Sequence, residues 1–127
     1  MGDRIVRILL VEDDEFVRDL VVGQLTALGH VACAVEDADA ALRVLETEAF
    51  DLLMTDVMLP GTLDGHALAA RVRDRWPGMP VLYASGSAAS AGAPAGAAVR
   101  HLQKPFRLQQ LARAIDELVP GAATRCS

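Results

Sequence analysis

IVRILLVEDD, residues 5–14, begins as an unbroken apolar run from Ile5 to Val11, relieved only by Arg7, and ends in three consecutive acids, Glu12, Asp13 and Asp14. A short run with no polar alternation reads as a strand covered on both faces, the situation of a parallel sheet between helices. Four more such runs follow, Val31 to Val35, Asp51 to Thr55, Pro80 to Ala84 and Val99 to Leu102. The stretches between them repeat their apolar residues at helical spacing, and the alternation predicts a parallel α/β fold.

The first helical stretch places Val17, Leu20, Val21, Leu25 and Leu28 on one face, and Gly29 supplies a left-handed stop. Asp37 caps a second helix whose face is Ala38, Ala41, Leu42 and Leu45. A third starts near Gly65, uses Leu68 and Val72, and stops before Pro77, because proline cannot continue the hydrogen-bond ladder. The last presents Leu108, Leu111, Ala112, Ile115 and Leu118, and ends at Pro120 and Gly121. Between Ser85 and Ala98, Gly86, Gly92, Pro94 and Gly96 interrupt the sequence, so a short or irregular fourth helix is expected there. Together these elements predict a doubly wound five-stranded parallel sheet in the order 2-1-3-4-5.

A chain of 127 residues supports one core, here residues 1–121, with residues 122–127 as a flexible tail. An apolar fraction of 52% with 23% charged residues belongs to a globular protein. Seventeen acids against 12 basic residues give a net charge of -5, which disfavours nucleic acid and anionic membrane as partners. No run approaches the roughly 20 apolar residues of a membrane span. Met1 to Arg7 carries charge where a signal peptide would be apolar, so a cytoplasmic location is expected. Cys33 and Cys126 show no metal-ligand spacing and read as reduced thiols. His30 and His66 read as turn or surface residues.

In the order 2-1-3-4-5 the first and third strands are neighbours, so Glu12 to Asp14 and Asp56 meet at the crevice where the winding reverses. Clustered carboxylates oppose one another's ionisation unless a cation compensates, and hard oxygen ligands with room for water suit Mg²⁺. On such a site Asp56 is the candidate nucleophile toward phosphorus, forming an acyl phosphate. Lys104, after the fifth strand, offers an ammonium to one phosphoryl oxygen, and Ser85, after the fourth, offers a hydroxyl to another. Pro105 suits a cis Lys104–Pro105 bond that aims the lysine across the cleft.

Four motifs, ILLVEDD at 8–14, DLLMTDVMLPG at 51–61, Ser85 followed by Gly86, and QKPF at 103–106, together resemble the receiver domains of bacterial two-component response regulators. The resemblance spans nearly the whole chain and implies a flavodoxin-like fold. It implies a signalling domain that is not an enzyme beyond its own phosphoryl transfer and autodephosphorylation. By that resemblance Asp13 and Asp56 bind Mg²⁺, Glu12 acts through bound water, and the backbone carbonyl of Met58 is a further ligand, while Asp14 is peripheral and caps the first helix. The phosphoryl donor is a phosphohistidine on a histidine kinase or histidine phosphotransfer protein, docked by Phe16, Val17, Pro105 and Phe106. Val17 and Phe106 equally fit a role in the core. Ser85 and His101 take the switch positions, and Met58 and Ser87 tune hydrolysis.

His101 departs from similar receivers, which commonly carry Tyr or Phe three residues before the lysine. It reads either as an altered, pH-sensitive switch or as a half-exposed strand-end histidine. With no output domain in the remaining chain, the expected partner downstream is another protein. The domain is then a monomer or weak dimer, either stand-alone or cut from a larger protein. A phosphate sink or relay is the nearest rival. An aspartyl-phosphate phosphohydrolase resembling the haloacid dehalogenases needs a second aspartate two residues past the nucleophile, where this chain has Met58. A flavin module needs a phosphate cradle where the first turn is acidic.

Overall fold

The computed structural model describes residues 4–86 and 98–121. Five strands, β1 (Arg7–Val11), β2 (Val31–Val35), β3 (Leu52–Asp56), β4 (Val81–Ser85) and β5 (Val99–Gln103), pair in parallel in the order β2-β1-β3-β4-β5. This is the expected doubly wound order. Four helices are seen among the described residues, α1 (Glu15–Ala27), α2 (Ala38–Leu45), α3 (Gly65–Arg75) and α4 (Leu108–Leu118). The expected irregular helix between Ser85 and Ala98, Ser87, and the tail with Cys126 lie outside the described residues.

β2 and β5 start where the apolar pattern suggests, while β1, β3 and β4 start one or two residues later. Ile5 is exposed and β1 begins only at Arg7, whose N–H donates to the Asp51 carboxylate at 2.9 Å. Asp51 is thereby used as a side-chain acceptor beside β3, and the strand itself runs on to Asp56. That one-residue shift carries the acid to the strand's C-terminal tip.

Successive residues of a strand point to opposite faces, so one strand feeds two cores. Ile8, Leu10, Leu52, Met54, Leu82 and Ala84 pack with α1 and α4. Leu9, Val11, Leu53, Val81 and Tyr83 pack with α2 and α3. Both faces being dry explains the missing polar alternation, and it leaves charged groups to the strand tips.

Three helices begin at aspartates that point the chain away from those tips. Asp14, Asp37 and Asp64 accept the N–H groups of Val17, Ala40 and Ala67 at 3.1, 2.8 and 2.8 Å, satisfying donors that have no partner within the helix. α1 ends at Gly29, whose φ of 90° lets the chain reverse into β2. At the far end of α3, Arg75 lies 4.7 Å from the Trp76 ring centroid and ion-pairs with Glu46 beyond α2. No helix among the described residues is long and apolar enough to cross a membrane.

His30 sits in the turn after α1, as expected, but it is buried rather than at the surface, with 4% exposure. Its Nδ1 accepts the Val6 N–H at 3.1 Å, so Nδ1 carries no proton. Burial pushes its pKa below the ordinary 6.5, against the opposing pull of Asp116. On acidification the unfolded chain therefore takes up this proton first. The stabilising contribution is complete above pH 6.5 and is lost as pH falls toward the folded value. In urea unfolding from neutral to mildly acidic pH, the wild type is expected to lose more stability than His30→Asn, which keeps an acceptor without titrating. The difference grows no faster than about 1.4 kcal/mol per pH unit for one proton, and parallel curves would disprove the assignment.

Candidate functional site

β1 and β3 are hydrogen-bonded neighbours registered Val11 to Thr55, so the residues just beyond them are brought side by side. Glu12, Asp13 and Asp56 each offer a carboxylate oxygen, and the three oxygens lie within 4.8 Å of one another. Their exposures differ. Glu12 is buried, Asp56 is half-buried and Asp13 faces solvent.

Lys104 reaches this cluster from the far side of β4. Its Nζ donates to Asp56 Oδ2 at 2.9 Å and also to Glu12 Oε1. The Lys104–Pro105 peptide bond is cis, as the sequence suggested. Burial alone would lower the ammonium's pKa, but its hydrogen bonds to Glu12 and Asp56 and their negative charge outweigh it, and the net displacement is upward from 10.5. The lysine is thus a permanent cation here. Counted at their formal charges, three carboxylates against one ammonium leave two negative charges, which a divalent cation would balance. Hard oxygen donors at this spacing fit Mg²⁺.

The remaining contacts fix the carboxylates in place. Asp56 Oδ1 accepts the Met58 N–H at 3.0 Å, and Glu12 Oε2 accepts the Asp14 N–H at 3.1 Å. Arg18 of α1 donates from Nη1 to the Glu12 carbonyl at 2.9 Å. Asp14 itself is spent on capping α1 and stays outside the cluster.

The family model for the response regulator receiver domain matches residues 8–116. The chain belongs to the response regulator receiver family. It is 41% identical over 116 residues to the response regulator protein FleR of Pseudomonas aeruginosa, covering 89% of this chain and 24% of that protein. It is 34% identical over 119 residues to the response regulator receiver protein CpdR of Brucella abortus, covering 91% of this chain and 98% of that one. The chain therefore spans about a quarter of the first relative and nearly all of the second. Among solved structures, a response regulator receiver protein from Sinorhizobium medicae superposes with a TM-score of 0.78 at 32% identity, over 91% of this chain and 94% of that one. Receivers of this family are phosphoacceptor domains of phosphorelays, and neither the phosphohydrolase nor the flavin reading is favoured.

The other residues singled out in this receiver fall in three places. Ser85 ends β4 next to Asp56's strand, is buried, and its carbonyl accepts the Lys104 N–H at 2.8 Å. His101 lies in β5 with its ring on Tyr83, away from the carboxylates. Val17, Pro105 and Phe106 line an apolar groove of about 320 Å³ between α1 and the loop before α4, together with Leu20, Val21 and Gln24. Val17 and Phe106 also pack against the core, the second of the two roles the sequence allowed them. Phe16, the chain neighbour of Val17, does not line the groove and has 80% of its surface exposed. Met58 is exposed.

Two supporting residues carry no signal in the sequence beyond their type. Arg18 looks like one more surface charge on α1. Gly65 looks like a helix start, yet a Cβ there would collide with the Asp56 carbonyl, and its N–H donates to Val57 O at 2.8 Å. Glycine is what allows α3 to begin against the backbone of the receiver's central acid. Gly65→Ala is expected to lose about 1–3 kcal/mol through overpacking. Gly23→Ala, on the exposed face of α1 with nothing within 4 Å, is expected to gain up to about 1 kcal/mol from helix propensity. Urea unfolding of the two variants checks the opposite signs.

Proposed function

We propose that this receiver accepts a phosphoryl group on Asp56 from a phosphohistidine of a histidine kinase or histidine phosphotransfer protein. The observation that carries this reading is the convergence of Glu12, Asp13 and Asp56 with the Lys104 ammonium 2.9 Å from Asp56. Asp13, Asp56 and the Met58 carbonyl are the proposed Mg²⁺ ligands, with Glu12 acting through a bound water. The ion, when bound, neutralises charge on the transferring phosphoryl oxygens.

In the transfer, a carboxylate oxygen of Asp56 attacks phosphorus, the P–N bond breaks, and the imidazole leaves with the bonding electrons and takes up a proton. Lys104 is held where it can pair with one phosphoryl oxygen, and Ser85 offers its hydroxyl to another. Because these groups are fixed before the reaction, little reorganisation accompanies charge development. Attack of water on the acyl phosphate then returns the free carboxylate and inorganic phosphate. Lys104 and Ser85 share a backbone hydrogen bond, so a phosphoryl group pulling on both side chains would shift the β4 and β5 tips together. That shift is the proposed signal to a downstream protein, with Ser85 and His101 as switch residues.

The apolar groove beside Lys104 supports docking of the donor's helices through Phe16, Val17, Pro105 and Phe106. The protein is taken as a cytoplasmic monomer or weak dimer whose output is a protein contact.

Incubation with Mg²⁺ and a small-molecule phosphodonor, followed by intact-mass measurement, is expected to add one phosphoryl group to the wild type and none to Asp56→Ala. Equal uptake by both would remove Asp56 from its role. Phe16→Ala is expected to slow transfer from a phosphohistidine protein on the order of tenfold more than transfer from the small donor, the effect of losing one aromatic anchor. Equal slowing of both reactions would place Phe16 outside the docking surface.

A further inference from the structure

Tyr83 and His101 are directly opposed in the β4–β5 register, and their rings stack with centroids 5.0 Å apart and planes inclined by 23°. His66, from the first turn of α3, meets the same tyrosine ring edge-on at 4.9 Å and 70°. Two imidazoles therefore share one aromatic neighbour. Three of their ring nitrogens, His66 Nε2 and both nitrogens of His101, are buried and have no hydrogen-bond partner among the described residues.

A neutral imidazole brings one N–H to such a place, whereas an imidazolium brings two donors and a charge. Unpaired, these are costly to bury. The two imidazoles lie on the same tyrosine ring, so a positive charge on one opposes a positive charge on the other.

Among the described residues no carboxylate hydrogen-bonds the buried nitrogens of the stack. From α3 come His66 and Arg73, and Asp64 at its cap acts on Tyr83 but already holds the Ala67 N–H. On β5, Arg100 is turned to Glu117 at 3.3 Å and to the Val99 carbonyl at 2.8 Å. From α4, Arg113 and Glu117 line a groove that includes His101. Residues 86–98, which join β4 to β5, contain no ionisable side chain in the sequence. Burial pushes the His101 pKa below 6.5, and His66 lowers it further.

The stack sits directly beneath the functional tips. Tyr83 precedes Ser85 by two positions, His101 precedes Lys104 by three, and the Lys104 N–H to Ser85 carbonyl bond at 2.8 Å closes the ladder above them. We propose that the His66–Tyr83–His101 stack is a proton-operated latch: a neutral His101 ring holds the β4 and β5 tips together, and a proton on His101 drives its ring out to water and loosens the tips bearing Ser85 and Lys104. The latch belongs to the unphosphorylated fold and does not require Asp56 to be the phosphoacceptor.

The test is a histidine ring and backbone amide NMR titration of the full chain from about pH 8 to about pH 5, across the range where imidazoles exchange protons. His101 is expected to titrate below 6.5, and His66→Phe is expected to move that midpoint upward. The Ser85 and Lys104 amides are expected to shift with the same midpoint, and to lose that shift in His101→Phe, with His101→Tyr as a second non-titrating ring. A His101 midpoint at or above 6.5, a midpoint indifferent to His66→Phe, or Ser85 and Lys104 amides that stay still through it would each overturn the latch.

Discussion

Carboxylates from two neighbouring strand tips repel one another, and the rest of this receiver is arranged to keep them together. Their repulsion is offset from inside the chain by Lys104, which bonds both Glu12 and Asp56. Backbone N–H groups of Asp14 and Met58 take up further carboxylate oxygens. Arg18 binds the Glu12 carbonyl from α1, and Gly65 lets α3 start against Asp56 from the other side. Because a single ammonium faces three acids, the cluster carries an excess of formal negative charge, which suits a divalent cation.

The sheet's dryness and the site's polarity are two sides of one constraint. Strands with both faces in apolar cores can place charge only at their ends, and parallel strands put all their C-terminal ends on one side. Donors and acceptors from β1, β3, β4 and β5 are therefore drawn to the same rim without any one segment being designed around the site. The same packing places the ring stack one layer below that rim, where its protonation can be felt by Ser85 and Lys104.

Much of this was legible in the amino-acid order. Unbroken apolar runs such as Ile8 to Val11 announced buried strands, and acids at strand ends, with Lys104 before a proline, announced the cluster. Other features depend on distances that sequence does not encode. His30 lies in a turn, which normally means the surface, but tertiary packing of Val6 over it turned it into a buried acceptor. Gly65 reads as a helix start because close approach of a carbonyl leaves no trace in residue type. The pairing of His66 with Tyr83 and His101 joins positions from three separate elements, which no local pattern could link.

The tryptophan at the end of α3 has a practical consequence. α3 starts against Asp56 and runs 11 residues, about 16 Å of helix, before Trp76. Trp76 is the chain's single tryptophan and is held there under Arg75, at the end of the molecule remote from the acidic rim. Its emission therefore reports whether the core on the α2 and α3 side is assembled, and is largely blind to what occupies the crevice. Fluorescence and site occupancy are separable observables in this protein, so unfolding curves can be recorded in the presence of cation or donor without the optical signal confusing the two.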